Sequence, residues 1–99
     1  MKIDEGTQCL VTGGTVKKIT AKICHHVYCN GDKKGYHNYI NHCGRAYDLH
    51  NRAVNWSRYR GQVCDIYGDF LPPKRTATGR IVQRFIVLCV ELCDEGGVA

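Results

Sequence analysis

One long apolar run constrains the fold of this chain more than any other feature of the sequence. Residues 80–93 read RIVQRFIVLCVELC, a run rich in the β-branched and aromatic side chains that suit a pleated sheet. Positions 82, 86, 88, 90 and 92 are aliphatic, and the opposite parity is mostly apolar as well. This pattern is typical of a central strand that is covered on both faces. A buried helix is the alternative, because a continuous apolar run does not define its own period.

The length and composition indicate one globular domain over residues 1–99. A hydrophobic content of 43% and a charged content of 23% argue against disorder. The acidic residues 94–99 are expected to form a frayed tail. The first six residues contain no apolar stretch suited to a secretory signal or a membrane anchor. A cytoplasmic protein without a membrane partner is therefore expected.

Two alternating stretches and two glycine turns predict strands in the first half of the chain. Residues 15–28 place Ile19, Ala21 and Ile23 on one parity and lysines on the other, which predicts a half-buried strand. The pair at 13–14 is Gly-Gly, which predicts a tight turn after a short strand over 7–12. An Asn-Gly pair opens a turn over 30–35, and a third strand is expected over 36–42.

The second half of the chain has weaker periodicity. Leu49, Ala53 and Trp56 recur at helical spacing, which predicts a helix over about 48–59, with a strand over 53–59 as the alternative. A short strand is expected over 62–67, followed by a loop over 71–79 that contains Pro-Pro.

Together these elements predict a β-rich α+β fold. The expected architecture is a small curved antiparallel sheet or a partly open barrel of four or five strands with about one helix. Residues 5–14, EGTQCLVTGG, are similar to the first hairpin of small SH3-like barrels of the KOW type, a likeness that covers ten of the 99 residues. An OB-like barrel is the alternative small β-barrel.

Cysteines and histidines supply the candidate metal ligands. The chain has seven cysteines, an odd and irregularly spaced set that fits a reducing compartment better than a disulfide framework. Cys9 and Cys89 occupy apolar strand positions and are expected to be small buried hydrophobes. A structural zinc ion is the one cofactor that the sequence suggests, because a hairpin could bring two ligand pairs together. Its candidate ligands are Cys24, Cys29, His37 and His42.

The basic residues are unevenly distributed. The net charge is +5, and residues 17–60 hold nine Lys or Arg against two Asp, a local excess of seven positive charges. Aromatic residues are interleaved with these cations, a mixture typical of surfaces that neutralise phosphates and stack bases. The candidate nucleic-acid-binding residues are Lys17, Lys18, Lys22, Lys33, Lys34, Tyr36, Tyr39, Arg52, Arg58, Tyr59 and Arg60, and Lys74 and Arg75 could extend the same face.

These patterns favour a small non-enzymatic binding module that holds nucleic acid, single-stranded or without sequence preference. The alternative is a protein-interaction module that forms a homo-oligomer, such as a homodimer, by β-strand pairing. Catalysis by Cys64 with His50, or by Cys29 with His37, has no supporting motif, and the chain has no glycine-rich phosphate loop of defined spacing.

Overall fold

The computed structural model of the chain describes residues 3–93. These residues form six strands and one short helix, namely β1 (Lys17–Lys22), β2 (Cys24–Asn30), β3 (Lys33–His42), β4 (Arg45–His50), α1 (Trp56–Tyr59), β5 (Val63–Arg75) and β6 (Ile81–Leu92). The strands make one sheet in the order β1-β5-β6-β4-β3-β2. The sheet is not closed, and β1 and β2 are its edges.

The β-rich α+β class is confirmed, but two details of the predicted architecture are wrong. Six strands replace the expected four or five. The sheet is mixed rather than antiparallel, because β4 pairs with β6 in parallel while every other pairing is antiparallel. No strand was predicted where β4 lies, and only its last three residues, 48–50, fall within the predicted helix, while the strand predicted over 15–28 forms both β1 and β2.

The long apolar run forms β6, which lies between β5 and β4 as a central strand. The inner face of the sheet is defined here as the face that carries Phe85, which is fully buried against Phe70. A β-bulge at Leu88 changes the parity of the strand, because Tyr67 pairs with Cys89 while Gly68 pairs with Val87. The expectation of one continuous aliphatic face is therefore wrong.

The predicted strand over 15–28 is divided at Ile23. This residue is fully buried, and its backbone N–H donates to the Gln62 carbonyl while its own carbonyl accepts from the Gly61 N–H, at 3.0 and 2.8 Å. The chain thus passes directly from one edge of the sheet, β1, to the other edge, β2. Ile23 draws the two edges together at this end and curves the sheet around its inner face.

Residues 3–16 cover part of the outer face, the face opposite Phe85. These residues contain one isolated bridge, between Gln8 and Thr15, and no strand of the sheet, so the predicted strand over 7–12 is wrong. The chain instead reverses after Cys9, whose backbone bonds to Gly13 and Gly14. Cys9 is fully buried, as predicted, in a second small core with Val16 and Tyr67, against which Leu88 and Cys89 pack.

The helix predicted over 48–59 is wrong in extent. Leu49 belongs to β4 and is buried on the inner face beside Phe85, its register partner. Only Trp56–Tyr59 is helical, so the helical spacing joined residues of two separate elements. Trp56 is buried, and its indole Nε1 donates to the Asn51 carbonyl at 2.8 Å. Among residues 3–93, no helix has the length and hydropathy that crossing a membrane requires.

The loop predicted over 71–79 is also wrong in extent, because β5 continues to Arg75. A register irregularity between Leu71 and Lys74 contains the two prolines. Beyond Gly68, β5 has left its pairing with β1, so this end of the strand has β6 as its one neighbour. Prolines are tolerated at such a bulged edge because their missing N–H is not needed for a second ladder. The predicted acidic tail at 94–99 lies outside the described residues.

Candidate functional site

A groove of about 480 Å³ crosses the part of the outer face that residues 3–16 leave uncovered. Its walls come from β2, β3, β4, β6 and the hairpin that joins β5 to β6. Four basic side chains face one acidic side chain, so the groove is strongly electropositive. The lining residues are His26, His37, Asp48, His50, Lys74, Arg75, Thr76, Ala77, Arg80, Val82 and Arg84.

Strand register places Arg84 in the groove. Because side chains alternate along a strand, burial of Phe85 on the inner face turns Arg84 to the outer face, beside its register partner Asp48. The Arg84 guanidinium donates from Nε and Nη2 to the Pro72 carbonyl at 3.1 and 2.8 Å. This bifurcated contact fixes the side chain against the proline bulge and leaves further N–H donors for a ligand.

The β5–β6 hairpin supplies the other three cations, Lys74, Arg75 and Arg80. Its turn is held by Thr76, whose backbone N–H donates to the Arg80 carbonyl at 2.8 Å and whose Oγ1 accepts from the Arg80 N–H at 3.1 Å. Within residues 3–93, none of the four groove cations lies within 4.0 Å of a carboxylate oxygen. Their charges are therefore available to an anion.

A row of aromatic rings continues the groove along the outer face of the β2–β3 hairpin. The ring of Tyr28 lies 4.5 Å from His37 between centroids, His37 lies 5.6 Å from His26, and His26 lies 5.4 Å from Tyr39. Gly35 is the register partner of Tyr28, and a Cβ at that position would collide with the Tyr28 ring. The glycine thus lets the ring lie flat across the hairpin.

The pKa of His50 is shifted by its position in the groove. Partial burial lowers this pKa from its usual value, and the positive charges of Arg84, Lys74 and His37 lower it further. The Asp48 carboxylate acts in the opposite direction without reversing the shift. Burial is therefore the main cause of the lowered pKa of His50, and the surrounding cations add to it.

The residues predicted to bind nucleic acid fall on separate surfaces. Tyr39 belongs to the ring row, and Lys33 and Lys34 lie at the end of the same hairpin. Tyr36 has the opposite parity and lies on the inner side, where the Arg60 guanidinium stacks over its ring at 4.2 Å. Arg60 is further held there by a 2.8 Å hydrogen bond from its Nε to the Asn38 side chain.

The lysines of β1 lie at the far edge of the sheet and do not line the groove. Lys17 donates to the buried Asp69 carboxylate at 2.8 Å, and Lys18 lies 3.7 Å from Glu5. Lys22 is exposed near the end of the same strand. The remaining predicted residues cluster around α1, where Arg58 lies over the Tyr59 ring at 5.8 Å and Arg52 is exposed in the preceding loop.

The four residues predicted to bind zinc are not brought together in the described structure. Cys24 and Cys29 lie on opposite faces of β2, separated by five residues or roughly 17 Å of strand. His37 lies opposite His26, whereas His42 lies at the other end of β3 beside Cys43, with 3.5 Å between Nε2 and Sγ. Among residues 3–93 there is no group of three or more His, Cys, Asp or Glu side chains placed to hold a metal ion.

Sequence reasoning missed Arg80, Arg84 and His50 as members of the site. Arg80 and Arg84 belong to the apolar run, where the hydrophobic pattern concealed them. One signal could have found them. Arg80, Val82 and Arg84 are alternate residues, so both arginines lie on the same face of the strand, at the end where it begins. His50 was hidden by the incorrect helix. The proposed nucleophile Cys64 is fully buried, and burial raises its pKa to about 11, so it is not an activated thiolate.

No protein-family model, curated protein or solved structure matches this chain. The functional assignment therefore depends on the chemistry of the groove and the ring row.

Proposed function

We propose that this chain binds single-stranded nucleic acid, without sequence preference, along the groove and the adjoining ring row. The observation that carries the proposal is the continuity of four unpaired cations with four neighbouring rings on one face of the sheet. The cations are Lys74, Arg75, Arg80 and Arg84. The rings are Tyr28, His37, His26 and Tyr39.

The cations of this surface match the phosphates of a nucleotide chain, and its aromatic rings match the bases. Arg and Lys side chains neutralise phosphates and release counterions, which supplies affinity that does not depend on sequence. Aromatic rings take the faces of unpaired bases, and each stack contributes about 1–3 kcal/mol. Lys33 and Lys34 lie beyond Tyr28 at the end of the hairpin and extend the positive charge along the path of the strand.

The ring row favours single strands over duplexes. Tyr28 and His37 present their rings at the surface of a hairpin rather than in a protruding loop that could enter a groove of a duplex. Bases that are already stacked within a double helix cannot place their faces on such rings. A duplex would contact the cations alone and bind more weakly.

A pair of tyrosines on opposite faces of the hairpin tests the proposal. Tyr28 is 45% exposed in the ring row, and Tyr36 is 47% exposed on the inner side. Fluorescence anisotropy with labelled 12-nucleotide RNA, single-stranded DNA and duplex DNA would measure the dissociation constants. Tyr28→Ala is expected to weaken single-strand binding by about 5- to 150-fold, the equivalent of one lost stack. Tyr36→Ala is the matched control and should change it less than about twofold.

Two outcomes contradict this assignment. Equal losses in the two tyrosine variants would mean that the ring row is not the binding surface. Absence of binding by the native protein at low salt would mean that the cations serve only to solvate the surface. Circular dichroism of each variant would establish that its fold is unchanged.

The second candidate function is self-assembly through the edge strand β2. The other edge, β1, carries three lysines in six residues, a feature that discourages edge-to-edge pairing, whereas β2 has no lysine or proline. Val27 of β2 is 51% exposed. Light scattering after size-exclusion chromatography should then show a dimer that Val27→Lys dissociates. A monomeric mass at every concentration up to about 1 mM rules this assembly out.

A further inference from the structure

Three exposed histidines, which line the groove, form a ladder across three neighbouring strands. His26 of β2 is the register partner of His37 of β3, with 5.6 Å between ring centroids. The paired part of β3 and β4 ends at Tyr39 and Asp48, and His37 and His50 lie two residues beyond this pair on the same face, where both line the groove. Adjacent strands lie about 4.8 Å apart, so each histidine is the neighbour of the next.

Binding of a phosphate alone does not require neighbouring histidines. Lysine and arginine are permanent cations, whereas histidine changes its protonation state near neutral pH and can both accept and donate a proton. His37 and His50 share their part of the groove with Lys74 and Arg84, whose charges act on His50 together with that of His37. A phosphate held by the two cations would therefore lie beside two neighbouring imidazoles.

We infer that the histidine ladder cleaves RNA by intramolecular phosphoryl transfer, an activity that rests on the proposed binding of single-stranded nucleic acid. His50 is the general base and His37 the general acid. Lys74 and Arg84 stabilise the negative charge that develops on the phosphoryl oxygens. The substrate class is single-stranded RNA, because the nucleophile is its 2′-hydroxyl.

The reaction balances without an oxidant, a reductant or water. The 2′-oxygen attacks the neighbouring phosphorus while its proton passes to His50. The bond between phosphorus and the 5′-oxygen then breaks, and His37 gives its proton to that leaving oxygen. The products are a 2′,3′-cyclic phosphate on one fragment and a 5′-hydroxyl on the other. One proton enters the protein and one leaves it, so proton exchange with solvent restores the starting state.

The geometry of neighbouring ladder positions suits this step. An acid and a base must each reach the reacting oxygens through hydrogen bonds of about 2.6–3.2 Å. His37 and His50 belong to adjacent strands, which lie about 4.8 Å apart, so we place them on either side of one phosphodiester in the groove. We assign the base to His50 because burial, with the surrounding cations, lowers its pKa, and the neutral imidazole is the form that accepts a proton.

The test uses a fluorescent DNA oligonucleotide that contains a single ribonucleotide, incubated with the full chain in the presence of EDTA. Cleavage is expected at the ribonucleotide alone, and mass spectrometry should identify the cyclic phosphate and the 5′-hydroxyl. His37→Ala and His50→Ala are each expected to lower the rate by at least about 100-fold, the usual contribution of general acid–base catalysis. The rate of the native protein should show a bell-shaped dependence on pH.

His25→Ala is the matched control, because His25 lies on the opposite face of β2, near the inner-side Tyr36. This variant, purified in parallel, should cleave at the native rate. Equal cleavage by all variants would assign the activity to a contaminant and overturn the inference. An RNA strand with 2′-O-methyl groups at every position measures binding separately, because it cannot react. Binding of this strand without cleavage of the chimaera would overturn the inference while leaving the binding proposal intact.

Discussion

The number of phosphate contacts that the groove makes can be measured from the salt dependence of the binding constant. When a protein neutralises phosphates of a single strand, log K falls with log salt concentration at a slope of about −0.7 for each contact. The four groove cations, Lys74, Arg75, Arg80 and Arg84, therefore contribute about −2.8 to the slope, to which Lys33 and Lys34 add where the strand reaches them. Through the four groove contacts alone, raising the salt from 50 to 200 mM should weaken binding by roughly 50-fold.

Removing two cations gives the corresponding change. Arg75→Gln with Arg80→Gln leaves two groove contacts, so the contribution of the groove to the slope should fall to about −1.4, and the same salt step should cost only roughly sevenfold in affinity through these contacts. Both side chains are exposed, and neither makes a side-chain hydrogen bond or ion pair within the described structure, so the fold should not change. The assay is anisotropy of a labelled 12-nucleotide strand at five or more salt concentrations.

Two further variants decide which basic surface is used. Arg45→Gln removes one positive charge from the first residue of β4, at an exposed position outside the groove, and should leave the slope unchanged. Lys18→Gln with Lys22→Gln removes two charges from β1, which sequence analysis also identified as candidates. If the slope fell in the β1 variant and stayed at its native value in the Arg75 and Arg80 variant, the assignment to the groove would be refuted.

Three other predictions follow from buried or partly buried groups. Binding should tighten as pH falls through the lowered pKa of His50, because an anion in the groove favours the protonated imidazole, and His50→Asn should reduce this dependence in anisotropy titrations. Burial alone would raise the pKa of Asp69, but hydrogen bonds from Lys17 and other donors lower it overall, so its stabilisation is present above pH 3.8 and is lost as pH falls through the lower native pKa. Asp69→Asn should accordingly reduce the free energy of unfolding at pH 7 by about 1–3 kcal/mol in urea titrations and flatten the acid side of the stability profile. Cys64, with its pKa raised to about 11, should resist iodoacetamide in the native protein while exposed Cys29 reacts, and equal labelling rates would contradict its burial.

Sequence alone predicted those elements whose pattern is local. The period of two marked β1 and β2, and the Asn-Gly pair marked the turn between β2 and β3, where Gly31 has a φ of 65°. The apolar run identified β6 as a central strand. The bulge at Leu88 could not be predicted from the sequence. It changes which side chains of β6 face the inner core and which face the second core, and these cores are formed by other parts of the chain.

The groove was harder to predict than the strands, because its members come together only through register. Charge density along the chain pointed to residues 17–60, yet three of the lysines there lie at the far edge, two of them beside carboxylates. Arg84 and Asp48 become neighbours through the parallel pairing of β4 and β6, which joins parts of the chain far apart in sequence. No pattern within either strand specifies that pairing.

The same parallel pairing has a kinetic consequence. The strands β2, β3 and β4 form a meander of local contacts, and β5 and β6 form a hairpin, so both units can assemble before they meet. Joining β4 to β6 closes a long stretch of chain, as does joining β1 to β5, which makes these two pairings the expected slow steps of folding. The groove has walls from both units and therefore does not exist until they join. A nucleic acid bound in the groove would contact both units and so stabilise the pairing of β4 with β6. Hydrogen exchange should then slow more at the β4 and β6 amides than at the hairpin turns.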